Sequence, residues 1–176
     1  MKKIFISAFA GLLCMCTACN TPATTTADND NKAQEEKNLA ASNVVGKAFE
    51  TGDVTGVDSV VADDFIDHTD RGDVKGKDSL KAMATMIHTN FKDMKMEKVN
   101  DAANGDYVYT WMNYSGTSDG TMGLPKGPFN MNGIELTKFK DGKAVEHWNF
   151  MDSRDVAKMM PQPAMSNMDT TKMKKK

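Results

Sequence analysis

The apolar period of this chain changes once, near its middle. Up to about residue 91, large apolar side chains recur three and four positions apart; from Met94 onward they alternate. A 3.6-residue period buries one face of a helix, and a two-residue period buries one face of a strand. A chain that runs through helices first and then through strands joined by short turns is an α+β domain, with its helices on one face of an antiparallel sheet.

Leu39, Val45, Ala48 and Phe49 share one helical face, and Gly52 follows as a stop. Val54 to Val61 predicts a short second helix, with Val57, Val60 and Val61 on one side. Leu80, Met83, Ile87 and Phe91 form the apolar stripe of a third helix beginning at Ser79. Between the last two, Asp63-Asp64-Phe65-Ile66-Asp67-His68 predicts a short extended piece or turn. Beyond them Met94 and Met96 alternate with Lys95 and Glu97, and Asn104-Gly105 signals a hairpin. Tyr107 to Tyr114 carries large residues on both faces and predicts a central strand. Ser115 to Gly133 is expected to be a long Gly/Pro-rich connection, with Gly116 to Gly127 as a possible lid. Ile134 to Phe139 is a strand, Asp141-Gly142 a hairpin turn and Lys143 to Met151 the last strand. No internal repeat is visible.

The two ends differ from this core. Met1-Lys2-Lys3 precedes an apolar run from Ile4 to Met15, too short for the roughly 20 residues of a membrane-spanning helix and suited to a secretory signal, residues 1–18. Cys16-Thr17-Ala18-Cys19 resembles a bacterial lipobox, with Cys16 where leucine is usual. Cys19 is thus expected to be lipidated and to become the first mature residue, tethering the protein to a membrane of the cell envelope. Cleavage there removes Lys2 and Lys3, so acyl chains would be the only anchor. Residues 19–37 have almost no large apolar side chain and are expected to form a solvated tether. Residues 158–176 are expected to be a disordered Met/Lys-rich tail. Thioethers select Cu(I), but the tail's methionines are irregularly spaced, with no Cys or His among them, and no metal is assigned. The folded domain is expected at 38–157.

Composition narrows the function. The net charge of −2 gives no basic field for nucleic acid. All three cysteines lie at 14, 16 and 19, which rules out a disulfide framework, a Cys-ligated metal and a cysteine nucleophile in the domain. The three histidines are not paired at ligand spacing. There is no Gly-x-Gly-x-x-Gly, no Walker motif and no Gly-x-Ser-x-Gly elbow.

Several pieces in order carry a family resemblance: Asn43-Val44-Val45-x-x-x-Phe49, Gly52-Asp53, Val57-Asp58-x-Val60-Val61, Asp64-Phe65-Ile66-Asp67-His68, Gly76-x-x-Ser79-Leu80, Gly116-Thr117-x-x-Gly120, and Asp141-Gly142-Lys143-x-x-Glu146-His147-Trp148-x-x-x-Asp152. This order resembles the SnoaL-like polyketide cyclases, or ester cyclases, of the nuclear transport factor 2-like superfamily. The resemblance implies a cone-shaped α+β barrel, with three N-terminal helices packed on a curved antiparallel sheet around an apolar pocket. It implies an intramolecular aldol closure without metal or organic cofactor, run by an aspartate on the last strand. That position falls on Asn149, whose amide exchanges no proton near neutral pH.

Other groups remain for the pocket. On the last strand His147 and Asn149 share a face with Val145 and Met151, while Glu146, Trp148 and Phe150 share the other. In the family register His147 and Asn149 look into the pocket. Trp148 and Phe150 then lie on the outer face or in a homodimer contact through the sheet. His68, beside Asp64 and Asp67, resembles the family's pocket-mouth histidine and could pair with His147 as base and donor; both could instead make structural hydrogen bonds. His88 is expected to be exposed. Tyr109 and Trp111, with Tyr107 and Tyr114, could line the pocket or the core. Two readings follow. One is a membrane-tethered, non-catalytic cup for a small apolar molecule, favoured by the missing aspartate. The other is a cofactor-free cyclase- or isomerase-type enzyme using His68 and His147 on a small enolisable or ester substrate.

Overall fold

Six strands form one mixed sheet in the computed structural model, which describes residues 26–159 apart from 92, 121 and 122. Helix α1 is Thr26–Thr51, α2 the single turn Val57–Val60, and β1 and β2 are Val61–Thr69 and Gly72–Lys75. Helix α3 is Lys77–Asn90. Strands β3 (Lys95–Asn104), β4 (Tyr107–Ser118), β5 (Gly127–Lys140) and β6 (Lys143–Met151) then form a meander, and α4 is Ser153–Met159. The sheet order is β2-β1-β6-β5-β4-β3. Every pair is antiparallel except β1 and β6, which run parallel. The architecture is the α+β cone expected from the change of period, with α1 and α3 on one face of the curved sheet. The all-antiparallel sheet expected from sequence is corrected by that one parallel pair. It closes the meander back onto the early β1–β2 hairpin, which lies between the helices.

Local chemistry explains most boundaries. Gly52 ends α1 at φ 74°, its N–H bonded to the Ala48 carbonyl at 2.8 Å. Asp141 (φ 52°) and Gly142 (φ 77°) both take the left-handed conformation of a type I′ turn, whose twist matches the flanking strands. The expected second helix shrinks to α2, because Val61 already pairs with Ala144 of β6. The long connection expected over Ser115 to Gly133 is also corrected. Ser115 to Ser118 pair with Gly127 to Asn130, leaving only 119–126 between the strands, so Gly116 and Gly127 are strand residues. Asp93 fixes this extension, accepting from the Thr117 N–H at 3.0 Å and its hydroxyl at 2.7 Å.

The ends of the domain are longer than expected. The segment read as a tether is helical from Thr26. It holds by polar contacts instead of apolar burial. Glu35 accepts from the Gly105 N–H at 2.8 Å, and the fully buried Asn38 donates to the Gly105 carbonyl at 3.1 Å. Both bonds clamp the β3–β4 turn. At the other end α4 carries Lys158 and Met159 beyond the expected limit, and Met159 packs on the domain. The signal segment, Cys19 and the tail from 160 onward lie outside the described residues.

Two apolar clusters hold the cone. One joins Ala41, Ala48, Val57, Val61, Phe65 and Phe139. The other joins Phe91, Met112, Tyr114, Phe129 and Met131, with Phe91 and Phe129 edge to face at 5.7 Å. The cavity described next is lined from both.

Candidate functional site

Strand parity sets the floor of a cavity of about 230 Å³ between the helices and the sheet. Its walls are apolar: Val45 and Phe49 from α1, Leu80, Met83 and Ile87 from α3, Met94 and Met96 at the start of β3. These are the stripes read from the sequence. The floor is polar, formed by Asp67 of β1, Tyr114 of β4, Glu135 and Thr137 of β5, and His147 and Asn149 of β6. The cross-strand partners are Asp67 with His147, Thr137 with His147, and Glu135 with Asn149. A second, more open cavity of about 420 Å³ lies beside the first, toward Phe129 and Met159, and shares Tyr114 and Asn149 with it.

Two hydrogen-bonded groups occupy the floor. His147 Nδ1 lies 2.8 Å from Asp67 Oδ1, with both side chains largely buried. A carboxylate only accepts, so Nδ1 donates, and in the neutral ring this tautomer leaves the lone pair on Nε2. No described residue bonds Nε2. In the second group Asn149 Nδ2 donates to the Tyr114 hydroxyl at 3.2 Å, and that hydroxyl donates to Glu135 Oε1 at 2.5 Å. Burial, and after it the adjacent Glu135 carboxylate, push the Tyr114 phenol well above its usual range, so it stays protonated. Among the described residues no three His, Cys, Asp or Glu side chains converge as a metal site, and no helix is long and apolar enough to cross a membrane.

Of the residues expected from sequence, His147 and Asn149 lie on the floor. Asn149 is exposed where the two cavities meet. The predicted face is corrected at one point: a bulge leaves Val145 without a partner on β5 and turns Ala144 inward.

His68 is not brought to His147. It borders the cavity, but in register with Trp148 its ring turns to the other side of the sheet. There it stacks on the Trp148 indole, centroids 4.6 Å apart. Its Nδ1 is 2.9 Å from Asp73 Oδ1 and its Nε2 is 3.2 Å from Glu146 Oε2. The Asp73 bond first, then the Glu146 bond, raise its pKa. With both nitrogens engaged, His68 is a structural hydrogen-bonding residue. Asp67, one position earlier, is the partner of His147.

Tyr109 and Trp111 are corrected as well. They point away from the cavity and are 43% and 47% exposed. The pocket takes Tyr114, of opposite parity on β4. His88 is exposed, its ring against Gly52.

Glu135 was missing from the expected site. On β5 the apolar Ile134 and Leu136 face outward and the polar Glu135 and Thr137 inward. A rule that buries the apolar face of a strand puts Glu135 outside. The one available signal was register: the Asp141-Gly142 turn, counted back along both strands past the Val145 bulge, sets Glu135 opposite Asn149.

The comparisons agree with this architecture. The family model for SnoaL-like polyketide cyclases matches residues 40–162, and the chain belongs to that family. Similar solved structures include a protein of Jannaschia sp. CCS1 assigned to the SnoaL-like polyketide cyclases. It has 18% identity and a TM-score of 0.61, with 73% of this chain and 94% of that one covered. The wild-type polyketide cyclase-like protein IdmH of Streptomyces antibioticus has 25% identity and a TM-score of 0.55, with 68% and 96% covered. An LEH-like epoxide hydrolase of M. tuberculosis has 14% identity and a TM-score of 0.58, with 71% and 90% covered. No curated protein matches the chain.

Proposed function

We propose that the domain takes a small, mostly apolar molecule into the cavity and acts on it by acid–base chemistry centred on His147. The observation that carries this is the Asp67–His147 pair on the cavity floor, 2.8 Å apart, with Nε2 left for a bound molecule. Asp67 fixes the tautomer and stabilises the imidazolium that forms when Nε2 takes a proton. The substrate class that suits this base is an enolisable carbonyl compound or ester. Nε2 removes the proton beside the carbonyl, the electron pair moves onto the carbonyl oxygen, and the imidazolium returns the proton at the end of the step. Position 149, aspartate in the family, is an amide here and donates a hydrogen bond instead.

The test is exchange of α-protons of methyl acetoacetate and methyl phenylacetate in deuterated water. His147→Ala is expected to slow it by about 10²–10⁴-fold, the usual worth of a positioned acid–base group. An unchanged rate in that variant would remove the proposal. Exchange at background in wild type, with ligand still bound, would establish the second reading, a non-catalytic binding cup; Asn149 is what favours that reading.

The envelope assignment is also a proposal. The support is the apolar run followed by Cys16-Thr17-Ala18-Cys19. Cys19→Ala is expected to move the protein to the soluble fraction or leave an unprocessed precursor. We further propose that a second copy of the chain covers the outer face of the sheet, where Trp111, Ile134 and Phe150 form one exposed cross-strand row.

A further inference from the structure

Among the described residues, the ionisable side chains on the floor of the first cavity are Asp67, Glu135, Tyr114 and His147, with His68 at its border and its ring turned to the other side of the sheet; no described lysine or arginine lines it. Their hydrogen bonds have a direction. Asn149 donates to Tyr114 and Tyr114 donates to Glu135 Oε1, so the one phenolic proton is already in use. Asp67 Oδ1 is taken by His147. Glu135 Oε2 has no partner among the described residues. Every buried side-chain nitrogen or oxygen among them does have one, so Oε2 is open to the cavity. The floor therefore offers acceptors. A ligand carboxylate or phosphate would meet two carboxylates and, among the described residues, no lysine or arginine, at a large desolvation cost. A ligand cation would supply the missing counter-charge.

The walls suit the rest of such a ligand. Met83, Met94 and Met96 are flexible and polarizable, and the Phe49 ring faces the same space. At about 230 Å³ the cavity exceeds the ~150 Å³ that accommodates benzene.

We propose that the cavity selects a small hydrophobic amine, its ammonium group donating to Glu135 Oε2 and its hydrocarbon lying against Met83, Met94 and Phe49. This rests on the reading that the cavity takes a small molecule, and it deepens that reading by naming the charge of the molecule. It also orients the occupant. The Glu135–Asn149 pair and the Thr137–His147 pair are successive on the inner face, so an amine held at Glu135 presents its next carbons toward His147.

The experiment is calorimetric titration of the full-length protein with 2-phenylethylamine, 2-phenylethanol and 3-phenylpropanoate. The amine is expected to bind about ten- to a hundredfold more tightly than the alcohol, the worth of a charge-assisted hydrogen bond. The carboxylate is expected not to bind. Glu135→Gln should erase the preference for the amine over the alcohol. Glu135→Lys, should the first variant fold poorly, is expected to bind the carboxylate in place of the amine. Binding of the carboxylate as tightly as the amine in wild type would overturn the proposal, as would an amine preference that survives Glu135→Gln. If the alcohol binds and the amine does not, the charge assignment falls and the small-molecule cavity stands. If none of the three binds, both fall.

Discussion

On β5 the side chains turned into the domain are Glu135 and Thr137, and those turned away from it are Ile134 and Leu136. The same inversion holds on β6, with His147 and Asn149 inside and Trp148 and Phe150 outside. On β4 Tyr109 and Trp111 are outside, more than two-fifths exposed. At positions 134–137 and 147–150 a sheet shaped only by the stability of a monomer would exchange these faces; elsewhere the inner face is apolar, with Val108, Met112, Phe129 and Met131 buried. Burying polar groups is costly unless each finds a partner, and exposed apolar surface forgoes about 25 cal/mol per Å². Each cost points to a separate pressure. On the inner face each buried polar group among the described residues has its hydrogen bond, and the proposed function gives the rest a bound molecule to meet. On the outer face the aromatics stay exposed, which is the surface that the proposed second copy would cover.

Substitution can break this comparison. The largest effect is expected at the apolar ring beneath the floor. Phe65→Ala should cost about 3–5 kcal/mol in urea denaturation, since Phe65 is buried in the first cluster. Trp111→Ala, measured at a concentration where the chain is monomeric, should cost no more than about 0.5 kcal/mol. Equal losses would mean that the outer face is packed within one chain.

Next is the clamp between the first helix and the β3–β4 turn. Asn38→Ala removes a buried bond to Gly105 and should cost about 1–3 kcal/mol, and trimming the chain to begin at residue 38 removes the Glu35 bond to the same turn and should lower stability as well. No change in melting temperature would restore the shorter domain expected from sequence.

A smaller change in stability, with a large change in mass, is expected at Phe150→Asp. The monomer should keep its stability within about 0.5 kcal/mol, while light scattering shows the mass falling from two chains to one. A wild-type protein that is monomeric at high concentration would contradict the outer-face partner.

The smallest effect is at His68. Asp73 and then Glu146 raise its pKa in the folded state above the 6.5 of the free side chain. A raised pKa contributes stability that is complete below the unfolded value and is lost as pH rises through the folded one. His68→Gln should therefore cost more near roughly pH 6 than near roughly pH 9, by at most about 1 kcal/mol for a partly exposed pair. A cost that grows toward high pH would reverse the assignment.

Local chemistry made much of the fold legible. The stripe Leu80, Met83, Ile87 marked the face of α3 that lines the cavity, and Asp141-Gly142 marked the turn between β5 and β6. The limits Lys143 to Met151 of the last strand stand as expected from sequence. What sequence missed is nonlocal. The parallel pairing of β1 with β6 joins positions eighty apart and leaves no periodic trace. Nor did Ser115-Gly116-Thr117-Ser118 signal a strand, since it extends only because β5 and Asp93 hold it. In the candidate site, family register placed His147 and Asn149 correctly. His68, read as a pocket-mouth histidine, borders the cavity but is not brought to His147, because a single step along β1 separates it from the inner Asp67. Glu135 stayed hidden because its strand reverses the usual parity.

The parallel β1–β6 pair also sets an order of events. Asp67 and His147 meet only across it, 80 residues apart in sequence. The hairpins β3–β4 and β5–β6 close through short loops and can form early, whereas a contact of such separation carries the full loop-closure entropy and comes late. The acid–base pair is then absent from any intermediate that holds only the meander, and appears when the last strand docks on the first. Refolding followed at His147 should lag behind refolding followed at the β4–β5 ladder, and competence for chemistry would report completion of the fold.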